Sequence, residues 1–244
     1  MKRFLILQLR PEQDASDAEF ASLLKAGGIC KDRTHRIRLD VEALPEDIEP
    51  ADYAGVIIGG GPGCVSDAPQ DKSPDHARIE AAALSLMPRI ADGDIPFLGC
   101  CYGIGILGAH LGAPVGKGRY GEAVGIAECT LTEAGQSDPL LEGMPPRFDA
   151  FVGHKEALEA LPEGCVHLVE GTRCPFQMVR YRRNVYAAQF HPEADARAFE
   201  ERIGIYRYHG YFPPEEAQAL IEMCRASHVT APQRIVRNFM QRYG

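Results

Sequence analysis

The stretch Ile95–Gly103, IPFLGCCYG, runs from an apolar segment of strand length into a glycine-punctuated segment that predicts a buried helix. A nucleophile flanked two residues away by glycines, between a strand and a helix, is typical of a nucleophile elbow, and Cys101 takes that position. Glycine is needed because the central backbone is strained and side chains there would collide with the strand and helix. The dipole of the following helix predicts a lowered pKa for the thiol. The alternative is that Cys100 and Cys101 are small buried packing residues.

Outward from this stretch, apolar runs alternate with helical patterns. Strands are predicted at Phe4–Leu9, Val56–Ile58 and Ile95–Cys100. Helices are predicted after Ser16 as N-cap, from Pro74 with Ser73 as N-cap, and around Ile104–Leu111. The alternation predicts an α/β fold with an open, mainly parallel twisted sheet and helices on both faces.

The second half of the chain differs, because short apolar segments follow one another with turns between them. They are Gly125–Leu131, Cys165–Val169, Phe176–Val179 and Val185–Phe190. These segments predict the rest of the sheet plus an antiparallel extension. Two terminal helices are predicted, Pro214–Cys224 and Pro232–Gln241. Without a repeat or linker, we expect a single domain over residues 1–244 with a C-terminal helical extension at about 196–244.

Composition excludes several classes of protein. The 244 residues carry 26 basic and 34 acidic side chains, a net charge of −8 that argues against a nucleic-acid partner. The N-terminal apolar run is too short for a signal peptide. The uncharged segment 95–116 contains six glycines and two prolines, so we expect it to be buried in the protein and not in a membrane. The eight cysteines include no CxxC pair. We therefore expect reduced thiols and a cytoplasmic location.

A histidine and a glutamate follow the last apolar strand, in QFHPE at Gln189–Glu193. Residues two apart at a strand end project to the same side, so the carboxylate of Glu193 is expected to orient the imidazole of His191. That pair supplies a base and its orienting group for a cysteine nucleophile. A lone histidine in this position would more often be structural.

A glycine-rich loop, GGGPG at Gly59–Gly63, follows the strand Val56–Ile58. It matches neither the P-loop nor the dinucleotide-binding pattern, so close backbone approach to a ligand explains it better than phosphate binding. The backbone N–H groups of Gly61 and Tyr102 are candidates for an oxyanion hole. A plain tight turn is the alternative. All three features lie at the carboxyl ends of apolar strands, where open parallel sheets bind ligands.

Together these motifs resemble the class I (triad) glutamine amidotransferases, especially the amidotransferase domain of GMP synthase. The matching stretches are IIGGGP (Ile57–Pro62), PFLGCCYG (Pro96–Gly103), GH (Gly153-His154, before the next strand), CPF (Cys174–Phe176) and QFHPE (Gln189–Glu193). The resemblance implies a flavodoxin-like amidotransferase fold and hydrolysis of the glutamine side-chain amide. It implies no metal or cofactor. The released ammonia would pass to a synthase partner.

The resemblance also implies a role for individual residues. The catalytic triad would be Cys101, His191 and Glu193, and the oxyanion donors would be Gly61 and Tyr102. The substrate-binding residues would be Gly60, Pro62, Gly63, Gly153 and His154.

Two departures from the family pattern leave alternatives open. Gly105 stands where the family has a glutamine that helps to hold the substrate. No synthase domain follows the triad, so the chain is expected to resemble free-standing GMP-synthase-like amidotransferases with a separate partner. Hydrolysis of γ-glutamyl amines and a non-catalytic, thiol-sensing module are the alternative functions. A redox chaperone or cysteine peptidase is disfavoured, because those relatives have histidine where this chain has Tyr102. The aromatic run 206–212 is expected to pack within the chain, with a site cover or a dimer patch as alternatives.

Overall fold

One nine-stranded sheet runs through the computed structural model, which describes all residues 1–244. The strands are β1 (Phe4–Gln8), β2 (Thr34–Arg38), β3 (Gly55–Ile58), β4 (Phe97–Cys100), β5 (Val115–Leu131), β6 (Arg147–Leu158), β7 (Cys165–Gly171), β8 (Met178–Tyr181) and β9 (Val185–Ala188). Their order is β2-β1-β3-β4-β9-β8-β7-β5-β6. The first five strands in this order are parallel, and the remaining pairings are antiparallel. The predicted parallel sheet with an antiparallel extension is therefore confirmed.

Seven helices flank this sheet. They are α1 (Gln13–Gly27), α2 (Pro74–Asp92), α3 (Tyr102–His110), α4 (Glu133–Ser137), α5 (Ala196–Tyr206), α6 (Ala217–Ala226) and α7 (Gln233–Tyr243). No helix combines the length and the apolar character that a membrane crossing requires.

Alternate residues of β1 enter two separate cores, because successive side chains of a strand point to opposite faces. Phe4 and Ile6 pack with residues of α1 and α7. Leu5 and Leu7 pack with residues of α2 and α3. Each β1 residue is buried, which explains why this strand reads as a continuous apolar run and not as an alternating one.

Two strands were missed by the sequence-based prediction, and a third is longer than predicted. Strand β2 lies at the sheet edge and reads THRIR, so only Thr34 and Ile37 are buried and no apolar run marks it. Strand β6 contains Gly153 and His154. These two residues were expected to precede a strand, but the structure places them inside one. Its partner β5 begins ten residues earlier than Gly125, because the two form a long antiparallel ribbon.

The helix predictions need similar corrections. Helix α2 is confirmed, with the Ser73 side chain accepting from the His76 N–H. Ser16 is not the cap of α1, because its own N–H already donates to the Glu12 carbonyl within the first turn. Helix α6 begins at Ala217, after a short 3-10 turn over Pro214–Glu216. The C-terminal extension contains three helices, since α5 precedes the two that were predicted.

The C-terminal extension packs against the N-terminal part of the chain. The Phe239 ring of α7 lies 6.0 Å from the Phe4 ring of β1, between centroids. Lys25 of α1 pairs with Asp195, the N-cap of α5, at 2.6 Å. The ion pair connects the beginning of α5 to α1, and the Tyr206 hydroxyl at the end of α5 accepts from Arg10, which lies just beyond the carboxyl end of β1. The division of the chain into one domain stays a prediction.

Candidate active site

Cys101 lies in a strained turn between β4 and α3. Its φ is +53° and its ψ is −94°, a backbone conformation that residues other than glycine rarely adopt. The Cys101 N–H donates to the Ala188 carbonyl of β9 at 2.8 Å, which fixes the turn to the sheet. A Cβ on Gly99 would lie 2.7 Å from the Gly103 carbonyl carbon, and one on Gly103 would lie 3.3 Å from the Ile58 oxygen. The geometry is that of a nucleophile elbow.

The contact at Gly99 leads to a stability prediction. Gly99→Ala should lower the free energy of unfolding by about 1–3 kcal/mol, because the added methyl meets backbone atoms that have no space to move. Urea denaturation measures this difference. Gly204→Ala is the matched control, since Gly204 lies in helix α5 with open space around its Cα, and alanine there should stabilise by up to about 1 kcal/mol. Equal effects at the two positions would contradict the steric explanation.

Two cavities meet at Cys101. The first encloses about 400 Å³ including its opening and is lined by residues that include Gly61, Cys101, Tyr102, Gly105, Gly153, Glu156 and Tyr211. The second measures about 420 Å³, again including its opening, and is lined by Arg10, Gly61, Cys101, Val124, Gly153, His191, Phe199, Arg202, Ile203, Tyr206, Tyr211 and Phe212. The structure therefore brings Cys101 and His191 to one cavity, although ninety residues separate them in the sequence.

His191 contacts both a carboxylate and a guanidinium group. Its Nδ1 lies 3.0 Å from Glu193 Oε1 and 2.9 Å from the Arg202 guanidinium, which also donates to Glu193 Oε1 at 3.0 Å. One nitrogen does not donate to a carboxylate and accept from a guanidinium at the same time. The two contacts therefore belong to two tautomers of His191. Only the tautomer that donates from Nδ1 to Glu193 leaves Nε2 free to accept a proton.

Burial and charge shift the pKa values of this group. Burial lowers the pKa of His191, and the charge of Arg202 lowers it further, against the raising effect of Glu193. Burial alone would raise the pKa of Glu193, but His191 and Arg202 hold it well below its usual range. A neutral imidazole beside an ionised carboxylate is the state that a general base requires.

The thiol differs from the sequence-based prediction. Burial raises the pKa of Cys101 to about 12, and the nearby charge of Arg10 lowers it only in part. The expectation that the dipole of α3 produces a lowered pKa is wrong, because only 8% of Cys101 is exposed and the desolvation of a thiolate outweighs the dipole. The thiol is protonated at neutral pH and needs a base.

The glycine loop reaches the same place. The Gly60 N–H donates to the Glu19 carboxylate at 3.1 Å, whereas the Gly61 N–H has no acceptor within the chain. Tyr102 is the first residue of α3, so its N–H has no intrahelical acceptor either. Both N–H groups are thus available to a ligand, while that of Gly60 is not.

The predicted substrate-binding residues separate into two groups. Pro62, Gly63, Gly153 and His154 line the first cavity, and Gly60 lines neither. Gly60 lies against Arg10 and the His191 ring, where no side chain fits. The role of these five predicted residues in substrate binding stays a prediction.

His154, which lines the first cavity, also belongs to a buried polar cluster. Its Nε2 lies 3.0 Å from Glu122 Oε2, and its Nδ1 lies 2.9 Å from the Glu156 carbonyl. Glu122, His154 and Cys174 place one ligand atom each within 4.8 Å, a set that suits a metal ion. Gln177 also donates to Glu122 Oε2 at 2.7 Å, so protein groups already occupy this oxygen of the carboxylate.

Sequence reasoning missed three residues of the site: Arg10, Glu156 and Arg202. Tyr211 belongs to the aromatic run 206–212, for which a site cover was the alternative, and Tyr206, Tyr211 and Phe212 line the second cavity. Arg10 pairs with the buried Glu19 at 2.8 Å and reaches the Tyr206 hydroxyl at 3.2 Å. The spacing His154-x-Glu156 on one strand face carried a usable signal, since residues two apart share a face. Nothing in the sequence marked Arg202, which comes to the triad only through the packing of α5.

Comparison with known proteins identifies the family. The family model "Glutamine amidotransferase class-I" matches residues 20–210, most of the chain. The chain therefore belongs to the class I glutamine amidotransferase family.

Within that family, the sequence is similar to GMP synthases. It is 32% identical over 173 residues to one subunit of the glutamine-hydrolysing GMP synthase of Natronomonas pharaonis, a match that covers 69% of this chain and 83% of that protein. It is 30% identical over 166 residues to the glutamine-hydrolysing GMP synthase of Thermosipho africanus. That match covers 66% of this chain but only 28% of the longer protein.

Solved structures share the fold. A glutamine amidotransferase of Thermotoga maritima superposes with a TM-score of 0.76 at 18% identity, over 100% of this chain and 98% of that one. A glutamine amidotransferase of Methylobacillus flagellatus gives 0.71 at 19% identity, over 100% and 94%. The expected family and fold are confirmed.

Proposed function

We propose that this protein hydrolyses the side-chain amide of glutamine, or of a γ-glutamyl compound, through a thioester on Cys101. The observation that carries the proposal is the shared cavity of Cys101 and His191, with the imidazole hydrogen-bonded to Glu193. A strained thiol, a neutral base and an ionised orienting group are what acyl transfer requires. The family membership supports the same reaction.

In the proposed reaction, His191 Nε2 takes the thiol proton as Cys101 Sγ attacks the amide carbon. The Gly61 and Tyr102 N–H groups stabilise the oxyanion. The C–N bond then breaks, His191 returns the proton to the leaving nitrogen, and ammonia departs. Water attacks the thioester with His191 again as base, which gives glutamate and regenerates the thiol.

We further propose that the ammonia passes to a separate synthase partner. The support is the similarity to a protein named as one subunit of a glutamine-hydrolysing GMP synthase, which matches over most of its length. In this proposal the partner, and not this chain, binds the substrate that accepts the ammonia.

Hydrolysis of γ-glutamyl amines is a second candidate, and one observation favours it. The second cavity lies on the His191 side of the thiol, where the leaving amine departs. Its walls include the apolar side chains of Val124, Phe199, Ile203 and Phe212. Ammonia needs no such wall, whereas an amine with a hydrocarbon substituent does.

A thiol-sensing role fits less well. Oxidation by peroxide proceeds through the thiolate, and burial raises the pKa of Cys101 far from neutrality. His191 and Glu193 would have no purpose in such a module.

The test combines turnover with labelling. We expect the purified protein to release glutamate and ammonia from L-glutamine, and a diazoketone analogue of glutamine to alkylate Cys101. The exposed Cys30 is an internal control that the analogue should not label, because it lies outside the site. Turnover of γ-glutamyl-butylamide above that of glutamine would favour the second candidate. Rapid peroxide oxidation of Cys101 without alkylation or turnover would contradict the hydrolase.

A further inference from the structure

Two arginines and no acidic side chain line the second cavity, although the chain has 34 acidic and 26 basic side chains. Arg10 and Arg202 are 4% and 8% exposed. Their partners, Glu19 at 2.8 Å and Glu193 at 3.0 Å, do not line the cavity. Burying a guanidinium in a wall that is otherwise largely apolar is costly, so its retention there indicates a polar ligand.

Arg10 keeps one donor for such a ligand. Its Nε donates to Glu19 Oε2 at 2.8 Å and its Nη1 donates to the Tyr206 hydroxyl at 3.2 Å, whereas its Nη2 donates to no group of the chain. A Cβ on Gly60 would lie 2.4 Å from Nη2 and 3.0 Å from His191 Cε1, so the free end of the guanidinium lies beside the imidazole. A guanidinium has donors and no acceptor, so Nη2 binds an acceptor group.

Tyr211 supplies a second donor. Its hydroxyl oxygen is buried and has no hydrogen-bond partner. The residue lines both cavities, so it lies where they meet at Cys101. Burial raises the pKa of Tyr211, and the charge of Arg10 opposes that rise, as expected of neighbouring groups. An unpaired buried hydroxyl is costly, so it too indicates a ligand.

The family resemblance assigns neither donor a role, because both lie outside residues 20–210, the segment that matches the family model. Their position limits where an acceptor can be. In the proposed reaction the leaving nitrogen takes its proton from His191, and Arg10 Nη2 lies beside the same ring. The acceptor is therefore a group bonded close to that nitrogen. A carboxylate is the acceptor that suits a guanidinium best.

We propose that Arg10 and Tyr211 bind the α-carboxylate of an amino acid that is the leaving group, so that the preferred substrates are γ-glutamyl dipeptides. The apolar walls at Val124, Phe199 and Ile203 suit an apolar side chain on that amino acid. The proposal rests on the proposed function in its second form. The C–N bond breaks, His191 gives its proton to the nitrogen, and a free amino acid leaves in place of ammonia.

Binding to the Cys101→Ala variant tests this carboxylate site without turnover. Calorimetry compares γ-glutamyl-leucine with γ-glutamyl-leucinamide, which differs only by a neutral amide in place of the carboxylate. We expect the dipeptide to bind about 10- to 100-fold more tightly, as hydrogen bonds to a charged group predict. In the unsubstituted protein, kcat/KM for the two compounds should show the same preference.

Further variants in the Cys101→Ala background assign the preference to its residues. Tyr211→Phe removes a hydroxyl that has no partner in the chain, so the fold should tolerate it, and the preference should fall about tenfold. Tyr208→Phe is the matched control, since this tyrosine of the same aromatic run is 78% exposed, and it should keep the preference. Arg10→Met is combined with Glu19→Gln, because Glu19 would otherwise be buried without its cation. The preference should then fall towards one.

Equal binding of the two compounds, binding of neither, or a preference that Tyr211→Phe and Arg10→Met/Glu19→Gln leave unchanged would overturn the carboxylate site. If Arg10→Met/Glu19→Gln does not fold, the result with Tyr211→Phe decides alone. Failure of the function itself gives a different result. A preference in binding, without turnover of γ-glutamyl-leucine or glutamine by the unsubstituted protein, would refute the hydrolase but retain the carboxylate site. Glutamine hydrolysis without the preference would retain the hydrolase and refute the site.

Discussion

Cys101→Ala should remove glutamine hydrolysis, with a loss in kcat of at least about 10⁴-fold, the order seen when a triad nucleophile is deleted. The variant has no sulfur at this position to form the thioester, and the one other thiol of the two cavities, that of Cys64, lines only the first. The fold should tolerate the change, since alanine is smaller than cysteine and the strained turn is fixed by its backbone bond to Ala188. Steady-state ammonia release is the measurement, and circular dichroism checks the fold.

Cys100→Ala is the matched control. Cys100 is the preceding residue, 1% exposed, and packs in the core below the turn. We expect its replacement to cost some stability but to leave turnover near that of the unsubstituted protein. Substantial glutaminase activity in Cys101→Ala, or equal losses in the two variants, would refute the thioester mechanism.

His191→Gln should lower kcat/KM about 10²- to 10⁴-fold, the contribution of a general base. The thiol pKa of about 12 makes this base necessary, because almost no thiolate forms at neutral pH without it. In the unsubstituted protein, protonation of His191 should produce the acidic limb of the kcat/KM profile. Since burial and Arg202 lower the pKa of His191, that limb should lie below its ordinary value near pH 6.5. The His191→Gln profile should have no such limb.

Arg202→Met provides the companion measurement. The guanidinium lowers the pKa of His191 and competes with Glu193 for Nδ1. Its removal should therefore move the acidic limb to higher pH, while a purely structural arginine would lower activity at every pH and leave the limb in place. If the acidic limb of the kcat/KM profile stayed at the same pH in Arg202→Met and were still present in His191→Gln, a group other than His191 would produce it.

Much of the architecture was predictable because its signals are local. The buried parallel strands read as apolar runs, the elbow as glycines around Cys101, and the helix cap as Ser73 before Pro74. The pair His191 and Glu193 was predictable for the same reason, since two residues of spacing determine their shared side. The edge strand β2 was not, because exposure on one face removes the apolar signal.

The sequence alone determined the family, the open sheet and the identity of the proposed nucleophile, base and orienting acid, because each depends on a short motif. Only the tertiary structure decided the protonation state of the thiol, the contact of Arg202 with the imidazole and the place of Glu156 in the wall of the first cavity. Burial and proximity between distant segments produce these properties. They arise when α5 packs beside the sheet and β6 lies against the glycine loop, and no local pattern encodes a distance of that kind.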